Sequence, residues 1–178
     1  MRTLKTILEE LESVSNGMDY EQYNNLVEKF KEDRRFFFSG EGRSGLVAKA
    51  IAMRLMHSGK KVFVVGETIT PAIQEGDLLI IVSGSATTGN IVNLIGNAKE
   101  NGGEVFLITT NSAKLKPENG MLIKAATKYR KENEPSTIQP LGNQFDQFVH
   151  LILDAAIIDG LNEPYNTTKL KRLHSNLE

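Results

Sequence analysis

Residues 34–45 read Arg-Arg-Phe-Phe-Phe-Ser-Gly-Glu-Gly-Arg-Ser-Gly, a short apolar run that empties into a glycine-rich loop. The chain repeats the move at Asp77-Leu-Leu-Ile-Ile-Val, which runs into Ser83-Gly-Ser-Ala-Thr-Thr. Uninterrupted apolar runs bounded by turn residues are the pattern of strands buried on both faces. Each run leads through a Gly/Ser/Thr turn into a helical pattern, and that succession demands a parallel sheet with helical crossovers. It also constrains the chemistry. A helix N-terminus offers unsatisfied backbone N–H groups and the positive end of a dipole, which suits a phosphate. Ser44, Ser83, Ser85, Thr87 and Thr88 add short hydroxyl donors at the same places.

The rest of the chain fits the same frame. Leu4, Ile7, Leu8, Leu11 and Val14 have helical spacing, and Asp19 is suited to cap a second helix carrying Tyr23, Leu26, Val27 and Phe30. Strands are expected at 35–39, 62–65, 78–82 and 104–109, with a weaker fifth at 121–124. Helices are expected at 44–57, 91–99 and, after Pro140-Leu-Gly, at 141–159. These elements predict a three-layer α-β-α sandwich around a five-stranded parallel sheet, in one domain. Its parts are N-terminal helices at 1–33, a core at 34–160 and a polar tail at 161–178. In such a sheet a ligand sits outside the carboxyl ends of the strands, where the winding reverses.

Composition narrows the class of partner. A chain of 178 residues can bury a full core, and a net charge of −1 argues against a basic stripe for nucleic acid or a membrane surface. The absence of Cys excludes disulfides and thiolate metal sites, and fits a reducing compartment. No signal-peptide pattern or spanning apolar stretch is visible, so a cytoplasmic protein is expected.

The first loop, Gly40-Glu-Gly-Arg-Ser-Gly45, matches G-x-G-x-x-G, so dinucleotide binding is one reading; Glu67 is a loose fit to the acidic residue expected about twenty positions later. A second loop of the same character, which a dinucleotide site does not require, favours a small phosphorylated molecule instead. Plain tight turns are the third alternative.

The stretch Ser39-Gly-Glu-Gly-Arg-Ser-Gly-Leu-Val-Ala-Lys-Ala, with Val65-Gly-Glu-Thr-Ile-Thr-Pro, Gly76-Asp-Leu-Leu-Ile-Ile-Val-Ser-Gly-Ser, Gln139-Pro-Leu-Gly and His174-Ser-Asn-Leu-Glu, resembles the 6-phospho-3-hexuloisomerases of the sugar isomerase (SIS) group. The resemblance implies interconversion of 3-hexulose 6-phosphate and fructose 6-phosphate in the ribulose monophosphate pathway. It further implies a homo-oligomer, usually a tetramer, and neither a metal nor an organic cofactor. Two departures stand out. The family's usual S-G-S-G-E-T is here Ser83-Gly84-Ser85-Ala86-Thr87-Thr88, and the helix that usually carries a proton-accepting Glu has Asp146.

Moving a carbonyl between adjacent carbons needs a base that removes a proton beside it and returns it one atom over. Asp146 is the candidate base, and His174 in the tail is a second candidate proton carrier that could reach a neighbouring subunit's site. Gly42, Arg43, Ser44, Ser83, Gly84, Ser85, Ala86, Thr87 and Thr88 are the candidate phosphosugar ligands, Arg43 because a guanidinium reinforces phosphate capture. Glu41 could touch the sugar. His57 and His150 are expected to be structural, His150 among core-type residues. Ala86 in place of Gly is expected to resist a positive φ and so to alter the loop. Two alternatives remain: a SIS module that binds a phosphosugar without turning it over, and an isomerase of a different sugar phosphate.

Overall fold

A computed structural model describes residues 1–161 and 167–176. Two helices come first, α1 (Arg2–Asn16) and α2 (Tyr20–Lys31), and Asp19 caps the second by accepting from the Glu21 and Gln22 amides at 2.9 and 3.3 Å. Strands and helices then alternate: β1 (Arg35–Gly40), α3 (Arg43–His57), β2 (Lys61–Val64), β3 (Leu78–Val82), α4 (Gly89–Glu100), β4 (Glu104–Thr109) and β5 (Gly120–Leu122). Helices α5 (Asn143–Gly160) and α6 (Thr167–Leu173) follow.

The sheet runs β2-β1-β3-β4-β5, and every neighbouring pair is parallel. From β1 the chain steps outward to β2; from β3 it steps the other way, to β4. Right-handed crossovers in opposite directions put their helices on opposite faces. Alternating strand residues accordingly feed two cores. Phe36, Phe38, Leu78, Ile80 and Phe106 pack under α1, α2, α3 and α5, while Phe37, Leu79, Ile81 and Leu107 pack under α4. The winding reverses between β1 and β3, and the two glycine-rich loops leave the carboxyl ends of those two strands.

Three glycines explain the first loop. Gly42 has φ +58° and ψ −131°, a conformation closed to side-chain-bearing residues, and it forms the N-cap of α3. Gly40 and Gly45 face each other: a Cβ on Gly45 would lie 2.6 Å from the Gly40 carbonyl oxygen, and one on Gly40 would lie 2.8 Å from that of Val82. The G-x-G-x-x-G spacing therefore lets α3 start hard against the ends of β1 and β3.

Several boundaries differ from the sequence expectations, β2 by one residue at each end. α5 starts at Asn143 rather than 141, because Leu141 sits in the left-handed region at φ +53° and cannot join the helix. β5 ends at Leu122, although the Ile123 amide still reaches the Thr109 carbonyl at 2.8 Å. α4 begins at Gly89, directly after the loop. The tail is not all coil: α6 folds back on α3, its Leu173 Cδ1 lying 3.8 Å from where a Gly59 Cβ would be. The tail's residues 162–166 and the Leu177-Glu178 end of the quoted motif lie outside the described residues.

Candidate phosphosugar site

A cleft of about 640 Å³ opens at the carboxyl ends of β1 and β3. Three helices, α3, α4 and α5, start at its rim, and none has a side-chain cap: Gly42 and Gly142 have no side chain, and Thr88 makes no capping bond. α2, which starts elsewhere, is capped in the ordinary way by Asp19. Helix N-termini left open on one cavity leave backbone donors and positive dipole ends for an anion.

The second loop is held from behind. Thr109 and Thr110 donate their hydroxyls to the Gly84 carbonyl at 3.0 and 2.8 Å, and Asn111 Nδ2 donates to the Ser85 carbonyl at 2.9 Å. Within the loop the Ser83 Oγ accepts from the Ala86 amide at 3.1 Å. Ser85 Oγ likewise accepts from the Thr87 amide at 3.4 Å. Both hydroxyls are used as acceptors, so their protons remain to be donated into the cleft. Thr87 and Thr88 are exposed at its mouth.

Ala86 corrects an expectation. It adopts φ +52° and is only 2 % exposed. The loop keeps the left-handed turn that a glycine would make freely, and the Ala methyl packs with Ile81 and Ile91 in the smaller core. Burial of the methyl offsets part of the conformational cost, about 1–2 kcal/mol for an L-residue in this region.

Asp146, one turn into α5, is 6 % exposed at the floor of the cleft. Its Oδ1 accepts from Ser44 Oγ at 3.0 Å and its Oδ2 from Arg43 Nε at 3.0 Å. Arg43 also bonds Asn143 Oδ1 through Nη2. The carboxylate is thus buried, paired with a guanidinium, and aimed by the first turn of α3. A carboxylate so placed has the chemistry to accept a proton from a molecule bound in the cleft.

Of the residues expected at the site, Gly42, Arg43, Ser44, Ser83, Gly84, Ser85, Thr87, Thr88, Asp146 and Glu41 line this one cleft. Ala86 lies beneath it. His174 does not join them within the chain: its ring stacks on His57 at a centroid distance of 4.9 Å, beyond the C-terminal end of α3 and away from Arg43. His150 is not in the core but half-exposed, with Nε2 3.5 Å from Asp154. Glu67 pairs with Lys49 at 2.6 Å. Thr127, Lys128, Tyr129 and Phe145 also line the cleft and escaped the sequence reading. The 127–129 turn follows the shortest strand, and its apolar signal is weak; Glu134 holds it by accepting from the Thr127 amide and hydroxyl at 2.8 and 2.6 Å.

Among the described residues no group of three or more His, Asp or Glu is placed to hold a metal, and no helix is long and apolar enough to cross a membrane. Comparison with known proteins agrees with the geometry. The SIS domain family matches residues 29–132. A 3-hexulose-6-phosphate isomerase of Bacillus subtilis is 34 % identical over the whole of both chains. That of Mycobacterium gastri is 34 % identical over 98 % of this chain and 89 % of its own. A crystal structure from Methanococcus jannaschii, described as inferring a 3-hexulose-6-phosphate isomerase function, superposes over all of both chains with a TM-score of 0.80 at 24 % identity, which speaks for the fold. A parallel sheet wound in the order β2-β1-β3-β4-β5, open helix N-termini on both sides of its switch point and these matches lead to one conclusion: the chain belongs to the SIS domain family.

Proposed function

We propose that this protein is a phosphosugar isomerase that interconverts 3-hexulose 6-phosphate and fructose 6-phosphate. The observation that carries the reading is the buried Asp146 carboxylate at the floor of a cleft rimmed by uncapped helix N-termini. The phosphate is held by the hydroxyls of Ser83, Ser85 and Thr88 and the helix ends, with the Arg43 guanidinium beside them. Asp146 takes the proton from C2 of the 3-hexulose, an enediolate forms across C2 and C3, and the proton returns to C3. The hydroxyl proton passes from O2 to O3, leaving the carbonyl at C2. The isomerases named among the relatives support this substrate, as does the pathway the resemblance implies, ribulose monophosphate formaldehyde fixation in the cytoplasm.

Assembly is part of the proposal. Leu4 and Leu8 on α1, Leu46 and Met53 on α3, and Leu151 and Ile158 on α5 are large apolar side chains left exposed. An apolar face of this kind favours a closed homo-oligomer, with a tetramer first and a dimer next. His174 would serve the site only across such a contact.

The test is direct. Incubated with fructose 6-phosphate in deuterated water, the protein should exchange the C3 proton, and fructose 6-phosphate should raise its melting temperature. Binding without exchange would favour a phosphosugar-binding module, for which the lack of a carboxylate at Thr87 already speaks. A melting shift with NAD instead would restore the dinucleotide reading. Light scattering that finds a monomer at micromolar concentration would remove the assembly and the role of His174 with it.

A further inference from the structure

Arg43 is the residue that holds Asp146, yet its own side chain is 60 % exposed. A long, exposed cation does not keep one geometry without a second anchor. That anchor is Asn143 Oδ1, on the same helix as Asp146 and one turn before it. An asparagine amide can turn either its oxygen or its NH₂ toward Arg43, and only the oxygen accepts a hydrogen bond.

What decides the orientation lies two side chains away along a run of hydrogen bonds. Asn143 Nδ2 donates to Gln139 Oε1 at 2.7 Å. Gln139 is buried, only 2 % exposed, and its Nε2 donates to Glu10 Oε2 at 3.0 Å. Glu10 sits on α1, and its carboxylate also accepts from the Thr137 hydroxyl at 2.5 Å and the Ile138 amide at 2.8 Å. Burial alone would raise the Glu10 carboxyl; these hydrogen bonds, with the Arg130 charge nearby, bring it below the ordinary carboxylate value. An ionised carboxylate can only accept. Gln139 must therefore present its NH₂ to Glu10 and its oxygen to Asn143. Asn143 must then present its NH₂ to Gln139 and its oxygen to Arg43. The polarity of two amides in series is fixed by one charge on another helix.

We propose that Glu10 is a positioning residue of the isomerase site, setting through Gln139 and Asn143 the acceptor that anchors Arg43 over Asp146. The inference rests on the reading of Asp146 as the base. A glutamine at position 10 keeps the size of the side chain but must donate to something. The Ile138 amide takes its oxygen, so its NH₂ faces Gln139 and reverses both amides. Asn143 then turns its NH₂ on the guanidinium, donor against donor, and Arg43 comes away.

The experiment compares three variants of the full chain in fructose 6-phosphate formation. Glu10→Gln should lower kcat/KM about tenfold or more, the scale on which misplaced catalytic groups act. Asn143→Asp alone should lower it as well, because its carboxylate faces the Gln139 oxygen and is pushed from its place against Arg43. Glu10→Gln combined with Asn143→Asp restores a consistent chain, glutamine NH₂ to Gln139 oxygen and Gln139 NH₂ to carboxylate, and should recover most of the loss. A merely structural role would make the two losses add. Full activity in Glu10→Gln, or a double variant no better than either single one, overturns the proposal. The side-chain amide NMR signals of Gln139 and Asn143 give a readout independent of turnover: both should move in Glu10→Gln. If they move while no form exchanges substrate protons, Asp146 is not the base and the relay stands only as structure. If they do not move, the relay is wrong whatever the activity.

Discussion

Ser44 and Asp146, separated by 102 positions in sequence, meet at 3.0 Å across the floor of the cleft. The contact ties the first turn of α3 to the first turns of α5, so the glycine-rich loop and the Asp146 carboxylate share one geometry. With Arg43 on the other oxygen, Asp146 has no lone rotamer freedom left.

Asp146→Asn should remove turnover while keeping phosphosugar affinity. A positioned general base contributes about 10²–10⁴-fold, so kcat for fructose 6-phosphate formation should fall by about 10³ or more, and the dissociation constant measured by calorimetry should change by no more than a few-fold. Asp146→Glu keeps the proton acceptor and should retain measurable activity. Equal loss in both variants would show that the site, not the base, had been damaged.

Gly45→Ala tests the close start of α3. The new methyl would lie 2.6 Å from the Gly40 carbonyl oxygen, backbone that cannot step aside. Overpacking of this kind costs about 1–3 kcal/mol, or a fall in melting temperature of about 2–4 °C per kcal/mol for a chain of this size. Because the helix N-terminus moves with it, KM should rise. Unchanged thermal unfolding would contradict the contact.

Ala86 makes a paired prediction. Ala86→Gly relieves a positive φ but loses a buried methyl worth about 0.8 kcal/mol and frees the unfolded chain, so stability should change by less than about 1 kcal/mol. Ala86→Val forces a β-branched residue into the same left-handed region and should cost about 2 kcal/mol or more. Urea unfolding of the two variants separates this from a loop in an ordinary extended conformation, where Val would be tolerated.

The stacked His57–His174 pair should make stability pH-dependent. Burial lowers the His57 imidazole below its ordinary value, and the charges of His174 and Arg54 lower it further. The unfolded chain therefore binds the proton first, so stability is full above about pH 6.5 and is lost as pH falls toward the folded value. Urea midpoints at pH 7.5 and 5.5 should show the decline, and His57→Phe, which keeps the stacking surface, should flatten it.

Leu46 is 69 % exposed on the outer face of α3. Leu46→Glu should leave the monomer's fold intact, with an unchanged circular dichroism spectrum, and reduce the mass seen by light scattering. A mass identical to that of the unmodified protein would remove Leu46 from the proposed subunit contact.

Local chemistry wrote much of this protein into its sequence. Apolar runs of strand length, turn residues after each and helical spacing beyond them define βα units, and those define a parallel sheet with its ligand side at the glycine loops. That each of the two loops opens a helix was legible for the same reason, although α4 starts at Gly89, two residues earlier than its apolar spacing indicated. What needed the tertiary structure was everything set by distant partners. Only the strand order β2-β1-β3-β4-β5 brings the two loops to one crevice. Only packing of α5 against α3 gives Asp146 its Arg43 and Ser44, and the same packing against α1 links Asn143 to Glu10 through Gln139. Lys128 and Tyr129 enter the cleft on a turn with a weak apolar signal, and Ala86 keeps a glycine's φ with its methyl packed in the core, which offsets part of the strain. The fold of His174 onto His57 was equally invisible. A local pattern encodes a residue's own conformational preference; it carries no record of which residue a hundred positions away will press against it.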